Sequence, residues 1–174
     1  DTITKEKLDV LKSAGVTRIS INPQTMNDEI LEKIGRKHTE KMFLEAYETA
    51  VTAGFDNINT DVIAGLPEET SDMFLSSLEK IVSLNPASVT IHAMCIKRSS
   101  QLKTKINTLK TYSPEIMVNS GYKLLKEHGL HPYYMYRQKD TLSNLENTGY
   151  AKKGFECIYN IFMMEDIGTV IGIG

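Results

Sequence analysis

The stretch that decides the predicted fold is VTAGFDNINTDVIAGLP, at residues 51–67. Its first residues end a helix, Gly54 permits the left-handed turn that follows, and the apolar run after it predicts a strand over residues 58–65. The same succession of helix end, glycine and strand recurs at residues 11–22 and 125–136. Strands that alternate with helices in this way predict βαβ units with a parallel sheet, and therefore an α/β fold.

The predicted strands, with a further one over residues 88–94, have one apolar and one polar face. The polar positions are Ser20, Asn22 and Gln24, then Asn57, Asn59 and Asp61, then Ser88, Thr90 and His92. A parallel sheet that helices cover on both sides is apolar on both faces. The polar face therefore predicts the wall of a partial TIM-like (β/α) barrel, with parallel strands, outer helices and a polar interior that is open or filled by a ligand.

The composition predicts one globular domain over residues 1–174 and excludes several classes of protein. The chain is 41% hydrophobic and 24% charged, and its formal net charge is −2. This balance offers no basic field for nucleic acid, and no apolar run approaches the ~18 residues of a membrane span. The two cysteines, Cys95 and Cys157, are too far apart in sequence to suggest a disulfide framework or a cysteine metal site. We expect a cytoplasmic protein.

The candidate site consists of polar residues near the carboxyl ends of the predicted strands, because ligands bind there in βα folds. Asp61 lies in an apolar strand, so it either binds a ligand's hydroxyl or ammonium groups or forms a structural ion pair with Arg18 or Arg36. Gln24 either binds a ligand or caps the helix predicted over residues 27–34. The guanidinium of Arg36 suits a carboxylate, and a surface arginine at a helix end is the alternative.

Other features of the sequence have a functional and a structural interpretation. His92 is either an acid–base group or a hydrogen-bonded interior histidine, and Cys95 is interpreted as a buried apolar residue rather than a nucleophile. The basic stretch over residues 97–110 either attracts a polyanionic substrate or is a solvated loop. An aromatic and basic segment forms either a substrate wall or an edge strand; it contains Tyr133, Tyr134, Tyr136, Arg137 and Lys139.

Several segments of the chain are similar to a known family. They are ISINPQT at residues 19–25, IGR at residues 34–36 and NTDVIAGLP at residues 59–67. These segments resemble the oxygen-independent coproporphyrinogen III oxidases, which are radical S-adenosylmethionine (SAM) enzymes. YRQ at residues 136–138 and NLENTGYA at residues 144–151 are similar to the branch found in Firmicutes. The resemblance covers nearly the whole chain.

The resemblance implies an incomplete parallel barrel with SAM and a [4Fe–4S] cluster held by three cysteines. It implies oxidative decarboxylation of coproporphyrinogen III to protoporphyrinogen IX in haem biosynthesis. It also implies that Gln24, Arg36 and Asp61 contact SAM and that Cys95 makes a backbone contact to it. The family's CxxxCxxC motif is absent, and two cysteines do not supply three cluster ligands. The chain is therefore predicted to be the central and later part of the barrel, without the cluster-binding strands and inactive alone.

Two other functions stay open beside this one. Haem chaperones of the same superfamily carry an HNxxYW motif, where this chain reads ENTGYA at residues 146–151 and has no tryptophan. A radical SAM enzyme with another substrate is the second alternative, because Gln24, Arg36 and Asp61 would contact only the shared cofactor. A porphyrinogen bears several carboxylates, so the basic stretch favours it as the small-molecule substrate. Part of a barrel also has open strand edges, so we expect self-association.

Overall fold

The computed structural model describes residues 3–95, 112–137, 142–165, 167–169 and 171. Helices and strands alternate along most of these ranges. In chain order they are α1 (Lys5–Ser13), β1 (Arg18–Ser20), α2 (Asp28–Lys33), α3 (Glu40–Thr52), β2 (Asn57–Ala64), α4 (Ser71–Ser83), β3 (Ser88–Ala93), α5 (Pro114–Glu127), β4 (His131–Tyr136), β5 (Asn147–Ala151) and α6 (Ile158–Glu165). No helix in the described ranges is long and apolar enough to cross a membrane.

The strands form one sheet in the order β1-β2-β3-β5-β4. The first three strands are parallel, as the repeated helix–glycine–strand pattern predicts. The sequence predicts no strand at β5, yet β5 lies between β3 and β4 and pairs antiparallel with both. β4 therefore runs in the same direction as β3 but is separated from it by the reversed strand.

The helices begin at residues whose side chains cap them. The side-chain oxygens of Thr4, Asn27, Thr39 and Thr70 each accept a hydrogen bond from the backbone N–H three residues later. Each such cap contributes about 1 kcal/mol to stability. Because Asn27 caps α2 with its own side chain, the interpretation of Gln24 as the cap of this helix is wrong.

The two faces of the parallel strands differ, as predicted. The apolar face is buried under α4 and α5, and this part of the core contains Ile58, Val62, Val89, Ile91, Phe74, Leu78, Ile81, Met117 and Leu125. Burial of a side chain of this kind contributes about 1.5–3 kcal/mol. On the opposite face, Asn59, Ser88 and Thr90 are also buried, although they are polar. This second face carries the candidate site.

Candidate functional site

A cavity of about 430 Å³ lies where β2, β3 and β4 end. Its lining consists of Gln24, Arg36, Ile63, His92, Ala93, Met94, Cys95 and Tyr136. Three of the predicted site residues, Gln24, Arg36 and Cys95, therefore share one cavity. The fourth, Asp61, is connected to it through His92, whose Nε2 lies 3.5 Å from Oδ2 of Asp61. The structure thus brings all four predicted residues to one place.

Gln24 and Arg36 also line a second cavity, of about 440 Å³, beside β1. Ser20, Asn22 and the ring of Phe43 form part of its wall. His38 lines it as well, and its Nε2 lies 2.9 Å from the carbonyl oxygen of Pro23. The sequence analysis did not identify this histidine as a candidate. A ligand in either cavity is within reach of the amide of Gln24 and the guanidinium of Arg36.

Gln24 has a backbone conformation that non-glycine residues rarely adopt, with φ of 70°. Hydrogen bonds to β2 hold it there: its N–H donates to the carbonyl oxygen of Asp61 at 3.0 Å, and its carbonyl oxygen accepts from Ile63 N–H at 2.9 Å. A non-glycine residue persists at such an angle only when its surroundings enforce it. The position of Gln24 next to Asp61 is therefore fixed by main-chain bonds.

Arg36 follows the glycine that ends α2. Gly35 has φ of 77°, a left-handed conformation that costs glycine no steric strain. The N–H of Arg36 then donates to the carbonyl oxygen of Leu31 at 2.8 Å, which closes the turn. Arg36 is exposed, so its guanidinium is available to a ligand in either cavity.

Asp61 is a half-buried carboxylate with several hydrogen-bond donors. Nδ2 of Asn59 donates to its Oδ1 at 2.7 Å. Burial acts to raise the pKa of Asp61, but the hydrogen bond and charge of His92, with hydrogen bonds from Asn59 and Thr90, outweigh burial and lower it. Within the described ranges neither Arg18 nor Arg36 pairs with Asp61, and Arg18 donates instead to Ser88 at 3.3 Å. The predicted alternative of an ion pair with arginine is therefore wrong.

Asn59 connects the polar residues of three strands. Its Nδ2 also donates to Oγ of Ser20 at 3.0 Å. Its Oδ1 accepts from Ser88 at 3.0 Å and from Thr90 at 3.3 Å. Side chains of β1, β2 and β3 are thus joined in one hydrogen-bonded network that includes Asp61.

The aromatic segment contributes to the cavity through Tyr136. Its hydroxyl lies 3.4 Å from Nδ1 of His92, and its ring is stacked with that of Tyr134, with centroids 6.3 Å apart and an interplanar angle of 4°. Arg137 does not join them, since it pairs with Glu146 at 2.6 Å. Cys95 is half-buried at the cavity rather than buried in the core. Lys139 and the basic stretch over residues 97–110 lie outside the described residues.

Glu69 is a functional candidate that sequence reasoning missed. It is fully buried, and its Oε1 accepts a hydrogen bond from Thr25 at 2.5 Å. Burial raises the pKa of Glu69 to about 7, although the bond from Thr25 acts to lower it. Ser77 lies 3.1 Å from the same threonine hydroxyl and accepts from Met26 N–H at 3.1 Å. Thr25, which contacts both Glu69 and Ser77, directly follows Gln24 in the chain.

The polar side chains at the cavity fit the polar groups of SAM, but they do not supply the ligands of an iron–sulfur cluster. A guanidinium suits the methionyl carboxylate, while a carboxylate and an amide suit the amino group and the ribose hydroxyls. Iron–sulfur clusters need three or four cysteine ligands, and the sequence has two cysteines. Among the residues with described positions, no group of three His, Cys, Asp or Glu side chains is arranged to hold a metal ion.

Comparison with known proteins agrees with this geometry. Residues 1–81 match the model of the radical SAM superfamily. This part of the chain is similar to radical SAM proteins. Over its whole length it is 45% identical to the "oxygen-independent coproporphyrinogen-III oxidase-like protein HemZ" of Bacillus subtilis, of which it covers 35%. It is 29% identical, over 92% of its length, to the haem chaperone HemW of the same organism and covers 41% of that protein. The chain thus spans less than half the length of these relatives.

The fold is similar to two solved structures. Coproporphyrinogen III oxidase HemN of Escherichia coli, a radical SAM enzyme, matches 95% of this chain with a TM-score of 0.64 and 21% identity, and 36% of HemN is covered. Archaeal Elp3 of Methanocaldococcus infernus matches 70% of the chain, and 30% of its own chain is covered, with a TM-score of 0.63 and 18% identity. The predicted α/β fold of the radical SAM type is confirmed, as is the predicted relation to the coproporphyrinogen oxidase family.

Proposed function

We propose that this chain binds SAM and belongs to an oxidoreductase that decarboxylates the propionates of coproporphyrinogen III. The observation that carries the proposal is the convergence of Gln24, Arg36 and Cys95 on one cavity, with Asp61 held beside it. The 45% identity to a coproporphyrinogen-III oxidase-like protein supports the same substrate class. The proposal includes a cytoplasmic location.

Each residue has a distinct role in the proposed site. The fork of Arg36 binds the methionyl carboxylate, and the ionised carboxylate of Asp61 binds the amino group or the ribose hydroxyls. Gln24 supplies an amide to the remaining polar atoms, and the backbone at Cys95 completes the contact. When bound, SAM would supply hydrogen-abstraction chemistry, for which the cluster would have to donate one electron and methionine would be the leaving group. Cluster ligands have to come from residues outside this chain, because its own cysteines are too few.

Replacing Arg36 with methionine is expected to weaken SAM binding about tenfold, because a charged hydrogen bond to a carboxylate is lost. The measurement is equilibrium binding of SAM by titration calorimetry. Lys37→Met is the matched control, since it removes the same charge from the adjacent exposed residue, which does not line either described cavity. Equal losses in the two variants would show that Arg36 contributes only a general positive charge.

The activity itself is tested with the cluster-loaded full-length protein under anaerobic conditions. Formation of protoporphyrinogen IX and 5′-deoxyadenosine from coproporphyrinogen III and SAM would support the proposal. Formation of 5′-deoxyadenosine without loss of carboxyl groups would point to a radical SAM enzyme with another substrate.

A haem chaperone is the second candidate function, and the similarity to HemW favours it. The two candidates differ in what they bind without turnover. A chaperone holds haem stoichiometrically, which a Soret-band titration detects, and it leaves coproporphyrinogen III unchanged. Tight haem binding without decarboxylation would therefore replace the oxidase proposal with the chaperone.

The chain is also expected to self-associate. β1 and β4 are the outer strands of the described sheet, and exposed strand edges pair readily with other chains. Light scattering should show a mass that rises with concentration, and Met135→Lys in β4 should reduce this rise. Val10→Lys is the control, because it also charges an exposed apolar residue, but in α1. A constant monomer mass at all concentrations would contradict this prediction.

A further inference from the structure

The contacts of His92 define which of its nitrogens carries the hydrogen. Nε2 lies 3.5 Å from the carboxylate of Asp61, and Nδ1 lies 3.4 Å from the hydroxyl of Tyr136. A neutral imidazole has one donor and one acceptor nitrogen, whereas a carboxylate only accepts. In the neutral ring the hydrogen therefore resides on Nε2, facing Asp61, and in the charged ring Nε2 carries a hydrogen as well. Nδ1 is left to accept the hydroxyl hydrogen of Tyr136.

Packing between aromatic rings fixes the position of Tyr136, which is the first donor in the series Tyr136, His92 and Asp61. The ring of Tyr136 meets that of His92 edge to face, with centroids 6.4 Å apart and an interplanar angle of 71°, and stacks on Tyr134. Burial, with the charge of Asp61, raises the pKa of Tyr136, so its side chain stays a phenol that can donate. Tyr134 lies so close to Gly149 that a Cβ there would be 1.9 Å from Cε1 of its ring. Tyr136, His92 and Asp61 therefore lie next to one another because of their positions on β4, β3 and β2.

We propose that Tyr136 and His92 are positioning residues, which present an N–H to Asp61 so that its carboxylate stays ionised and oriented toward the ligand. The inference rests on the proposed function for the identity of that ligand, SAM. It goes beyond the predicted contacts, because neither residue needs to touch SAM. In this inference His92 acts as a hydrogen-bonded interior histidine that serves the site.

Four groups lie near the imidazole of His92 and can affect a titration of Asp61. Asp61 on β2 and Tyr136 on β4 face its ring, and Arg36 and Cys95 share its cavity. Loss of the His92 donor leaves burial of Asp61 opposed mainly by the hydrogen bonds from Asn59 and Thr90. The titration midpoint of Asp61 should then rise.

The test combines NMR of the isotope-labelled full chain with SAM titration calorimetry. Imidazole ¹⁵N shifts, assigned with His92→Gln, should show the Nε2–H tautomer at His92, and Tyr136→Phe should produce a mixture of tautomers. His92→Leu should raise the titration midpoint of Asp61 by about one pH unit and weaken SAM binding about tenfold. His92→Gln keeps a nitrogen donor but carries no charge, so both quantities should lie between those of the wild type and those of His92→Leu. His131→Leu is the control, because His131 is an exposed histidine at the start of β4 and lines neither of the two cavities described above.

Three results would overturn the inference: an Nδ1–H tautomer, an unchanged Asp61 midpoint in His92→Leu, or a raised midpoint with unchanged SAM affinity. If the wild type binds no SAM at all, the proposed function fails. The tautomer and the Asp61 midpoint then decide by themselves whether His92 orients the carboxylate. A global loss of folding in His92→Leu would appear in the spectrum, and Tyr136→Phe then supplies the decisive comparison.

Discussion

Replacing Glu69 with glutamine is expected to remove a large pH dependence of stability. Burial raises the pKa of Glu69 from its ordinary 4.5 to about 7, so the folded chain retains a proton that the unfolded chain releases. The free energy of unfolding therefore falls as the pH rises from below 4.5 through 7. Between pH 5 and pH 8 the wild type should lose about 2–3 kcal/mol relative to Glu69→Gln, whose amide does not titrate.

Urea unfolding of both proteins at a series of pH values measures this difference. Glu68→Gln is the matched control, because Glu68 is the adjacent residue but lies partly exposed in an ion pair with Lys33. Exposed pairs of this kind contribute little to stability, so its curve should follow that of the wild type. If wild type and Glu69→Gln show parallel pH profiles, the carboxyl of Glu69 titrates normally and the buried arrangement with Thr25 is wrong.

Ionisation of Glu69 is also expected to affect the candidate functional site. Thr25 is bonded to Glu69 and directly follows Gln24, whose backbone is held at positive φ. Ionisation of Glu69 leaves a buried charge with one described donor, Thr25, while Oε2 has no described partner. An unpaired buried charge favours local rearrangement over a static site. The loop that carries Gln24 is therefore the part of the site where loss of stability should appear first.

Much of the fold was predictable because its determinants are local. The glycines at positions 15 and 54 mark the turns before β1 and β2, and alternation along β2 separates the polar from the apolar face. β5 was not predictable in this way, since its pairing with β3 joins Val89 to Tyr150 across a long separation in sequence. Short strands of this kind depend on tertiary partners more than on propensity.

The candidate site, too, was predictable only in part. Gln24, Arg36 and Asp61 were predicted from their positions near the strand ends, Cys95 was added through the resemblance, and the structure brings the four together. Their role in binding SAM remains a proposal. Glu69 was missed because, in sequence, it is the second of two adjacent glutamates after Pro67 and looks like part of a solvated turn. Glu69 is buried and Glu68 is partly exposed because of how the folded chain packs around them. The local sequence carries no signal of this packing.

Replacing Asn59 with leucine is expected to destabilise the chain by about 3–5 kcal/mol. The side chain is buried, and its amide makes hydrogen bonds with Ser20, Asp61, Ser88 and Thr90. Leucine fills a similar volume but leaves these groups without that partner, and each buried polar group left unpaired costs about 1–3 kcal/mol. Urea unfolding at neutral pH measures the loss.

Asn57→Leu is the control that separates the loss of the hydrogen-bonded network from the general effect of replacing an asparagine on this strand. Asn57 lies on the same strand and face, but its Oδ1 has no hydrogen-bond partner in the described part of the chain. Leucine should therefore cost little there, and it relieves a buried unpaired oxygen. Asn59→Leu should also raise the titration midpoint of Asp61, because a donor to its carboxylate disappears while burial remains. Equal stability of the two variants would mean that the hydrogen bonds of Asn59 contribute nothing to stability beyond the volume that its side chain fills.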